Sequence, residues 1–341
     1  MTKLSITFSI PAHNEEKNLL RLLSSIEKQK YPKNKVKIIV VNDSSTDKTA
    51  SIAKRYGAKV IDVKTKDCER NKGIGLYAAK TDLIFFPDAD MELCDVNFIN
   101  NIVAPFLHDS EIIGSFTKEF ALKGNRPESK SSLLRYVSYH PLQQDPLIQY
   151  FSPSIESTIV QKRKGYFLCE FVPGKIPAVG RVVYRRKQIL ETDVSKDERF
   201  IDMETTEIVA RAGYRKFAYV PKARIKHFHA EGLKTLVGKR LRNLNKELLV
   251  NYEKRYYKWF DPSSAKDLIR IIAWVVYANL FVPALIRGIV LMVKNRDMAF
   301  LWEPVVTIVT TDVILWGFLT NKKGRKIAMG LIRTLACFEK E

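Results

Sequence analysis

Apolar and polar positions follow a regular rhythm through the first 120 residues. Residues 4–10 alternate and then meet Pro11, as a strand that stops at a loop. Across 15–28, Leu19, Leu22, Leu23 and Ile26 recur at helical spacing. Residues 36–41 are a short β-branched run of the buried, parallel kind. A polar loop, 42–47, follows, with Ser45, Thr46 or Asp47 available to cap a helix through Tyr56. Residues 59–63 predict a third strand, 74–79 a helix and 83–86 a fourth strand. Such alternation predicts an α/β fold: a doubly wound, mostly parallel sheet. Prolines 127, 141, 146, 153, 173 and 177 break the rhythm, so 125–195 reads as a binding or capping region. A helix resumes over 201–211, and a strand follows over 216–220.

The pattern changes after residue 244. Leu244, Leu248, Leu249, Tyr252, Tyr256 and Trp259 share one helical face, with Lys246, Lys254, Arg255 and Lys258 around it, as in an interfacial helix. Residues 271–286 carry no charge between Arg270 and Arg287, and the stretch becomes long enough to cross a bilayer if extended to Val293. A second stretch, 298–319, is apolar except for Glu303 and Asp312. Only Lys294, Asn295, Arg296 and Asp297 separate the two, and a basic run (322–326) follows. Together they predict a C-terminal membrane-associated helical hairpin, either spanning or re-entrant. The stronger basic flanks place the catalytic part on the cytoplasmic side. The expected organisation is a catalytic domain over 1–245, divided at about residue 120 into donor and acceptor halves. An interfacial helix at 246–262 and membrane-associated helices with a basic tail at 263–341 complete it.

Composition narrows the partner. The chain of 341 residues holds 57 Lys+Arg against 37 Asp+Glu, a formal net charge of +20, with 46% apolar residues. Basic residues concentrate in 157–187 and 215–258, which suits an anionic partner: nucleic acid, a phosphorylated substrate or lipid headgroups. No helix-turn-helix, zinc-finger or RNP-like pattern is present, and the apolar tail argues for a membrane instead of nucleic acid. Four scattered cysteines predict neither a disulfide framework nor a zinc site.

Candidate chemistry sits where strands end. Phe85-Phe86-Pro87-Asp88-Ala89-Asp90 places two carboxylates one residue apart at a buried strand's end, a donor set suited to Mg²⁺ or Mn²⁺ bridging to a diphosphate. Strand one ends in Pro11-Ala12-His13-Asn14-Glu15 and strand two in Asn42-Asp43-Ser44-Ser45-Thr46-Asp47. Glu69-Arg70-Asn71-Lys72-Gly73 precedes the Asp88 strand. In this order the four runs resemble the A-type, family 2 nucleotide-sugar glycosyltransferases, whose usual run is P-x-(Y/H)-N-E, (D/N)-D-x-S-x-D-x-T, an A-R-N-x-G turn and D-A-D. Glu69 departs from that pattern, where alanine is usual.

The resemblance implies an inverting transferase acting on a nucleotide-sugar donor, and the expected membrane helices with their basic flank suggest a lipid-linked or cell-envelope glycan acceptor. It implies that Pro11, His13, Asn14 and Glu15 line the nucleoside pocket and that Asp43 accepts hydrogen bonds from the base. It also implies that Arg70 lies near the diphosphate or base, and that Asp88 and Asp90 flank the ribose and metal. The second half resembles the family more loosely, through Val182-Val183-Tyr184-Arg185-Arg186 and Asp197-Glu198-Arg199-Phe200. The family's Glu-Asp pair falls on Ile201-Asp202, which keeps the Asp and loses the Glu. Asp202 is the general-base candidate and Glu204 the alternative; an acceptor that is already anionic would need no strong base. His227 or His229 would complete the metal site. Arg240 and Arg242 stand where related synthases neutralise the departing diphosphate. A non-catalytic membrane scaffold that retains the fold is the alternative reading.

Overall fold

The computed structural model describes residues 3–117, 119–120, 131–140, 146–195, 200–228, 232–245, 249, 255–257, 261, 264–327 and 329–330. His229, the 197–199 part of the Asp-Glu-Arg-Phe run and most of the expected interfacial helix lie outside these residues. The chain forms two compact units, Met1–Phe120 with Pro153–Phe228 and Ala121–Ser152 with His229–Glu341.

In chain order the first unit begins with β1 (Ile6–Ala12), α1 (Glu16–Glu27), β2 (Val36–Asp43), α2 (Thr49–Arg55), β3 (Lys59–Val63) and α3 (Cys68–Ala78). It continues through β4 (Leu83–Phe85), β5 (Met91–Leu93), α4 (Phe98–His108), β6 (Gly114–Phe116) and β7 (Glu119–Phe120). Helices α5 (Ser132–Val137) and α6 (Pro146–Phe151) belong to the second unit. The first unit resumes with β8 (Ile159–Arg163), β9 (Tyr166–Glu170), β10 (Val183–Arg185), α7 (Arg186–Leu190), α8 (Asp202–Arg211), β11 (Lys216–Tyr219) and β12 (Ile225–His227). Helices α9 (Leu233–Asn243), α10 (Ala265–Asn279), α11 (Val282–Asn295) and α12 (Glu303–Thr320) complete the second.

One mixed sheet, in the order β3-β2-β1-β4-β10-β6-β11-β9-β8, organises the first unit. Its donor half, β3-β2-β1-β4, is wholly parallel. Parallel strands covered on both faces are buried on both, and in β1 Ile6, Phe8 and Ile10 are fully buried on one side and the small Thr7 and Ser9 on the other. The apolar stripe of α1, Leu19, Leu22, Leu23 and Ile26, packs into the same core. Because the four strands run the same way, the loops after β1, β2 and β4 share one edge, where ligands of such sheets collect. A small sheet, β5-β12-β7, pairs His227 with Met91 just beyond the Asp88 strand end.

Three expectations are corrected. Residues 125–195 are not uniformly irregular: β8 and β9 form a hairpin turned at Gly165 (φ +90°), and β10 runs antiparallel between β4 and β6. β8 is an edge strand with residues 160–162 all exposed, so no apolar alternation marks it. The run Glu69 to Gly73 is not a turn but the first turns of α3, because the Asp67 side chain accepts from the amides of Glu69 (3.0 Å) and Arg70 (3.2 Å) and starts the helix six residues earlier. The first apolar stretch of the tail is not one rod: α10 and α11 meet at an 81° bend.

α3 lies directly on β1 at Gly75, where an added Cβ would fall 1.7 Å from Ser9 Oγ and 2.9 Å from Ser9 Cβ. Alanine in a helix interior ordinarily gains about 1 kcal/mol over glycine, but overpacking costs about 1–3 kcal/mol. Contact with a central-strand side chain makes the second effect larger. Gly75→Ala is therefore expected to lower the thermal midpoint of unfolding, and Ser9→Gly in the same chain to restore part of it.

Candidate active site

Two strand-end loops are tied together at the first site edge. Asn14, held at φ +53°, accepts from the Thr46 amide (2.8 Å), while its own amide donates to Ser45 Oγ (3.0 Å). The His13 ring meets the Asp43 carbonyl through Nδ1, and the Glu15 amide donates to Thr49 Oγ1 (2.8 Å). Asp47 holds Thr49 and the Glu16 amide, so it serves both the α2 and α1 starts. Pro11 lies buried within β1 opposite Val41, whereas His13 and Asn14 are exposed. The run expected to line the nucleoside pocket forms a cross-braced pair of loops presenting polar groups.

Asp43 closes this edge. Its Oδ2 accepts from Asn71 Nδ2 (3.0 Å) and Thr65 Oγ1 (2.9 Å). Burial alone would raise its pKa, but the hydrogen bonds from Asn71, Thr65 and the Lys66 amide outweigh burial and hold the carboxyl below the usual range. Arg70, one helical position before Asn71, lines an open cleft with Lys64, Thr65, Gly73, Ile74 and Tyr77.

The Asp-x-Asp turn is the second edge. Asp88, Asp90 and His227 each present one ligand atom, and the three atoms lie within 4.8 Å of one another. His227 Nε2 stands 3.0 Å from Asp90 Oδ1 and 3.9 Å from Asp88 Oδ2. The His227 side chain is 1% exposed, and the Phe228 amide donates to the Asp90 carbonyl (3.0 Å), so backbone pairing fixes the histidine beside the turn. Two carboxylate oxygens and one imidazole nitrogen at this spacing fit Mg²⁺ or Mn²⁺ with positions left for diphosphate oxygens. Of the two histidines open from the sequence, the structure brings His227 to the carboxylates; His229 lies outside the described residues.

Asp202, first residue of α8, reaches the same place. Arg181 bridges it to Asp88, one guanidinium nitrogen on each carboxylate. Lys72 lies beneath them, 3.1 Å from Glu69, 3.9 Å from Asp202 and 4.0 Å from Asp88. The Phe200 amide, donating to the Glu69 carbonyl (2.9 Å), fastens the approach to α8 onto α3. Burial opposes the Asp88 charge, but Arg181 and Lys72 outweigh it and hold the pKa below the usual carboxylate range. Glu69 goes the other way: burial pushes it up to about 7 against the pull of Lys72, with Asp202 and Asp88 adding to the rise. Burial likewise opposes the charge of Lys72, yet Asp202, Glu69 and Asp88 together raise its pKa.

Arg181 and Lys72 were not among the sequence candidates. Arg181 is a lone charge in the apolar run 176–184, which is the one signal that marks it. Its φ of +58°, a strained conformation for a side chain of this size, is invisible in sequence. Glu204 is buried on α8 (7% exposed), and Arg240 and Arg242 stand on the last turns of α9 in the second unit.

A parallel sheet whose strand ends gather a cross-braced loop pair, an Asp-x-Asp-His triad and an Arg-bridged Asp is the A-type glycosyltransferase architecture. Residues 7–164 match the model of glycosyl transferase family 2. A 4,4'-diaponeurosporenoate glycosyltransferase of Staphylococcus haemolyticus (strain JCSC1435) is 41% identical over 113 residues, covering 31% of this chain and 29% of that protein. Its counterpart in Staphylococcus aureus (strain bovine RF122 / ET3-1) is 38% identical over 109 residues, 29% of this chain and 27% of the relative. The chain thus aligns with under a third of these curated relatives' length. In fold it is similar to a mannosyltransferase from Pyrobaculum calidifontis in complex with GDP-Man and Mn²⁺, with a TM-score of 0.51, 16% identity and coverage of 93% of this chain and 88% of that one.

Proposed function

We propose that the chain is an inverting glycosyltransferase, moving a sugar from a nucleoside-diphosphate donor to a lipid-linked or cell-envelope glycan acceptor at the cytoplasmic membrane face. The observation that carries this reading is the convergence of Asp88, Asp90 and His227 with Asp202 at one sheet edge. The loop pair around His13, Asn14 and Glu15 receives the nucleoside, Asp43 faces its base, and Arg70 lies toward the base or diphosphate. Mg²⁺ or Mn²⁺ held by Asp88, Asp90 and His227 would supply positive charge against the departing diphosphate. Arg240 and Arg242 are further candidates for diphosphate contact.

Asp202 is the carboxylate that takes the acceptor's proton as its oxygen attacks the anomeric carbon. Arg181 fixes its direction, since two nitrogens of one planar guanidinium on two carboxylates define their relative placement. The Glu that the family places before this Asp is Ile201 here. Relatives named for transfer to 4,4'-diaponeurosporenoate favour an apolar acceptor met at a membrane. The two apolar stretches of the second unit, 271–286 and 298–319, support that location.

Incubating the full chain and native membrane lipids with a panel of nucleotide-sugars, each labelled in the sugar, tests the reading. Label entering the organic phase with one donor is expected. Label entering only water-soluble glycan would replace the lipid-linked acceptor with a free glycan. No transfer from any donor would favour the non-catalytic scaffold.

A further inference from the structure

The second unit carries an apolar surface that its own packing does not use. α10 buries Leu268, Trp274 and Ala278, the last two in a cluster with Leu147 and Phe151. On its other side Ile269, Ile272, Val276 and Leu280 are 65%, 50%, 53% and 57% exposed. α11 repeats the arrangement, burying Ala284 and Gly288 while Val282, Ile286, Val290 and Val293 stay 59%, 58%, 59% and 68% exposed. Three- and four-residue spacing makes each set one stripe. Exposed apolar surface continuous over two helices is uncommon on a monomer in water and marks a docking face.

Charges that interrupt these stretches in sequence are turned inward. Arg287 pairs with Glu303 and donates to Gln149 Oε1 (2.9 Å), and the fully buried Glu303 also accepts from Tyr136 (2.8 Å). Arg270 is held by Asp267 (3.4 Å) and the Tyr150 carbonyl (3.0 Å), with its guanidinium 4.6 Å from the centre of the Phe151 ring. Gly288 lets α11 lie against the 300–303 segment, since a Cβ there would fall 2.7 Å from the Phe300 carbonyl oxygen. The outer ends of both arms are polar: Lys266 and Asp267 on α10, and Lys294 and Asn295 at the end of α11 with Arg296 after it.

Length decides how such an element meets a bilayer. The arms hold 15 and 14 residues and bend by 81° at Leu280 and Phe281. At 1.5 Å per residue each arm is about 21–22 Å long, too short alone for a core of roughly 30 Å. Bent as they are, they project their apex about 14 Å beyond their ends, close to the roughly 15 Å depth of one leaflet. The segment Met298–Thr320, which ends in α12, is long and apolar enough to cross, yet 44% of its apolar stretch is buried. Trp274 donates to Thr311 of α12 (3.0 Å), and α12 packs against α6, α9, α10 and α11. It is the unit's central helix.

We propose that the α10–α11 elbow is a wedge that enters one leaflet of an anionic membrane and returns to the same side, with Leu280, Phe281 and Val282 at its deepest point. This rests on the membrane location given under the proposed function. The basic groups at both arm ends, Lys266, Lys294 and Arg296, then meet lipid headgroups on a single face. The exposed basic residues after α12, Lys322, Lys323, Arg325 and Lys326, add to the same attraction.

The test adds the full-length chain, with its four cysteines replaced, to preformed vesicles of phosphatidylcholine and phosphatidylglycerol. Single variants Ile269→Cys, Phe281→Cys and Val293→Cys are then exposed to a membrane-impermeant thiol reagent from outside. The wedge predicts flotation with the vesicles, full labelling at 269 and 293 and loss of labelling at 281. Protection of 293 until the vesicles are opened would overturn the wedge in favour of a spanning rod, leaving membrane attachment intact. Absence of flotation, with 281 labelled or cross-linking to a second copy, would overturn the membrane location as well.

Discussion

Asp90→Asn is expected to lower sugar transfer by about 10²–10³-fold, the scale on which losing one electrostatic stabiliser of a transition state is felt. Asp90 faces His227 at 3.0 Å and shares the turn with Asp88, so its loss takes away a charged ligand without unpacking the fold. Mn²⁺ affinity, read by electron paramagnetic resonance on the same variant, is expected to fall by at least 10-fold. EDTA is expected to abolish turnover of the wild-type chain, and added Mn²⁺ to restore it. Turnover that survives both the chelator and the substitution would make the Asp88-Asp90-His227 group structural. Asp88→Asn is a less clean probe, because Asp88 also partners Arg181 and lies near Lys72.

Asp202→Asn is expected to reduce turnover by about 10²–10⁴-fold, the usual contribution of a positioned base. Asparagine keeps an oxygen for Arg181, so helix α8 and the bridge toward Asp88 should persist. Nucleotide binding, measured by calorimetry, should hardly change. This pairing of lost turnover with retained binding separates a base from a structural carboxylate. Near-normal turnover would indicate an acceptor that arrives as an anion, or a shift of the role to Glu204.

What the sequence made legible was the donor half. Three strand ends and their polar loops could be read because a buried parallel strand is largely apolar and stops where a run of polar groups begins. His13, Asn14, Asp43 and Asp88 follow from that rule, and the structure places all four at one edge. The rest depended on long-range pairing. Choosing His227 required β12 to pair with β5, a three-residue contact across more than 130 positions that leaves no local pattern. Arg181 required a positive φ and a meeting of α3, β4 and α8 that no periodicity encodes. The early start of α3 is encoded by Asp67, a capping residue less conspicuous than Asn71 and Gly73.

The tail misled for a different reason. Hydropathy records composition and is blind to direction, so residues 271–293 passed for one rod. Phe281 at φ +51° turns the chain, and Pro283 starts the next helix at a position where its missing amide costs nothing. Glu303 and Arg287, which looked like separate interruptions, cancel one another inside the unit.

The central claim is tested most directly by release of nucleoside diphosphate from a nucleotide-sugar panel, with and without Mn²⁺, by the wild-type chain and by Asp90→Asn side by side. The account predicts Mn²⁺-dependent release from one donor by the wild type and near-loss of it in the variant. Release that is absent from every donor, or equal in the two proteins, would contradict it.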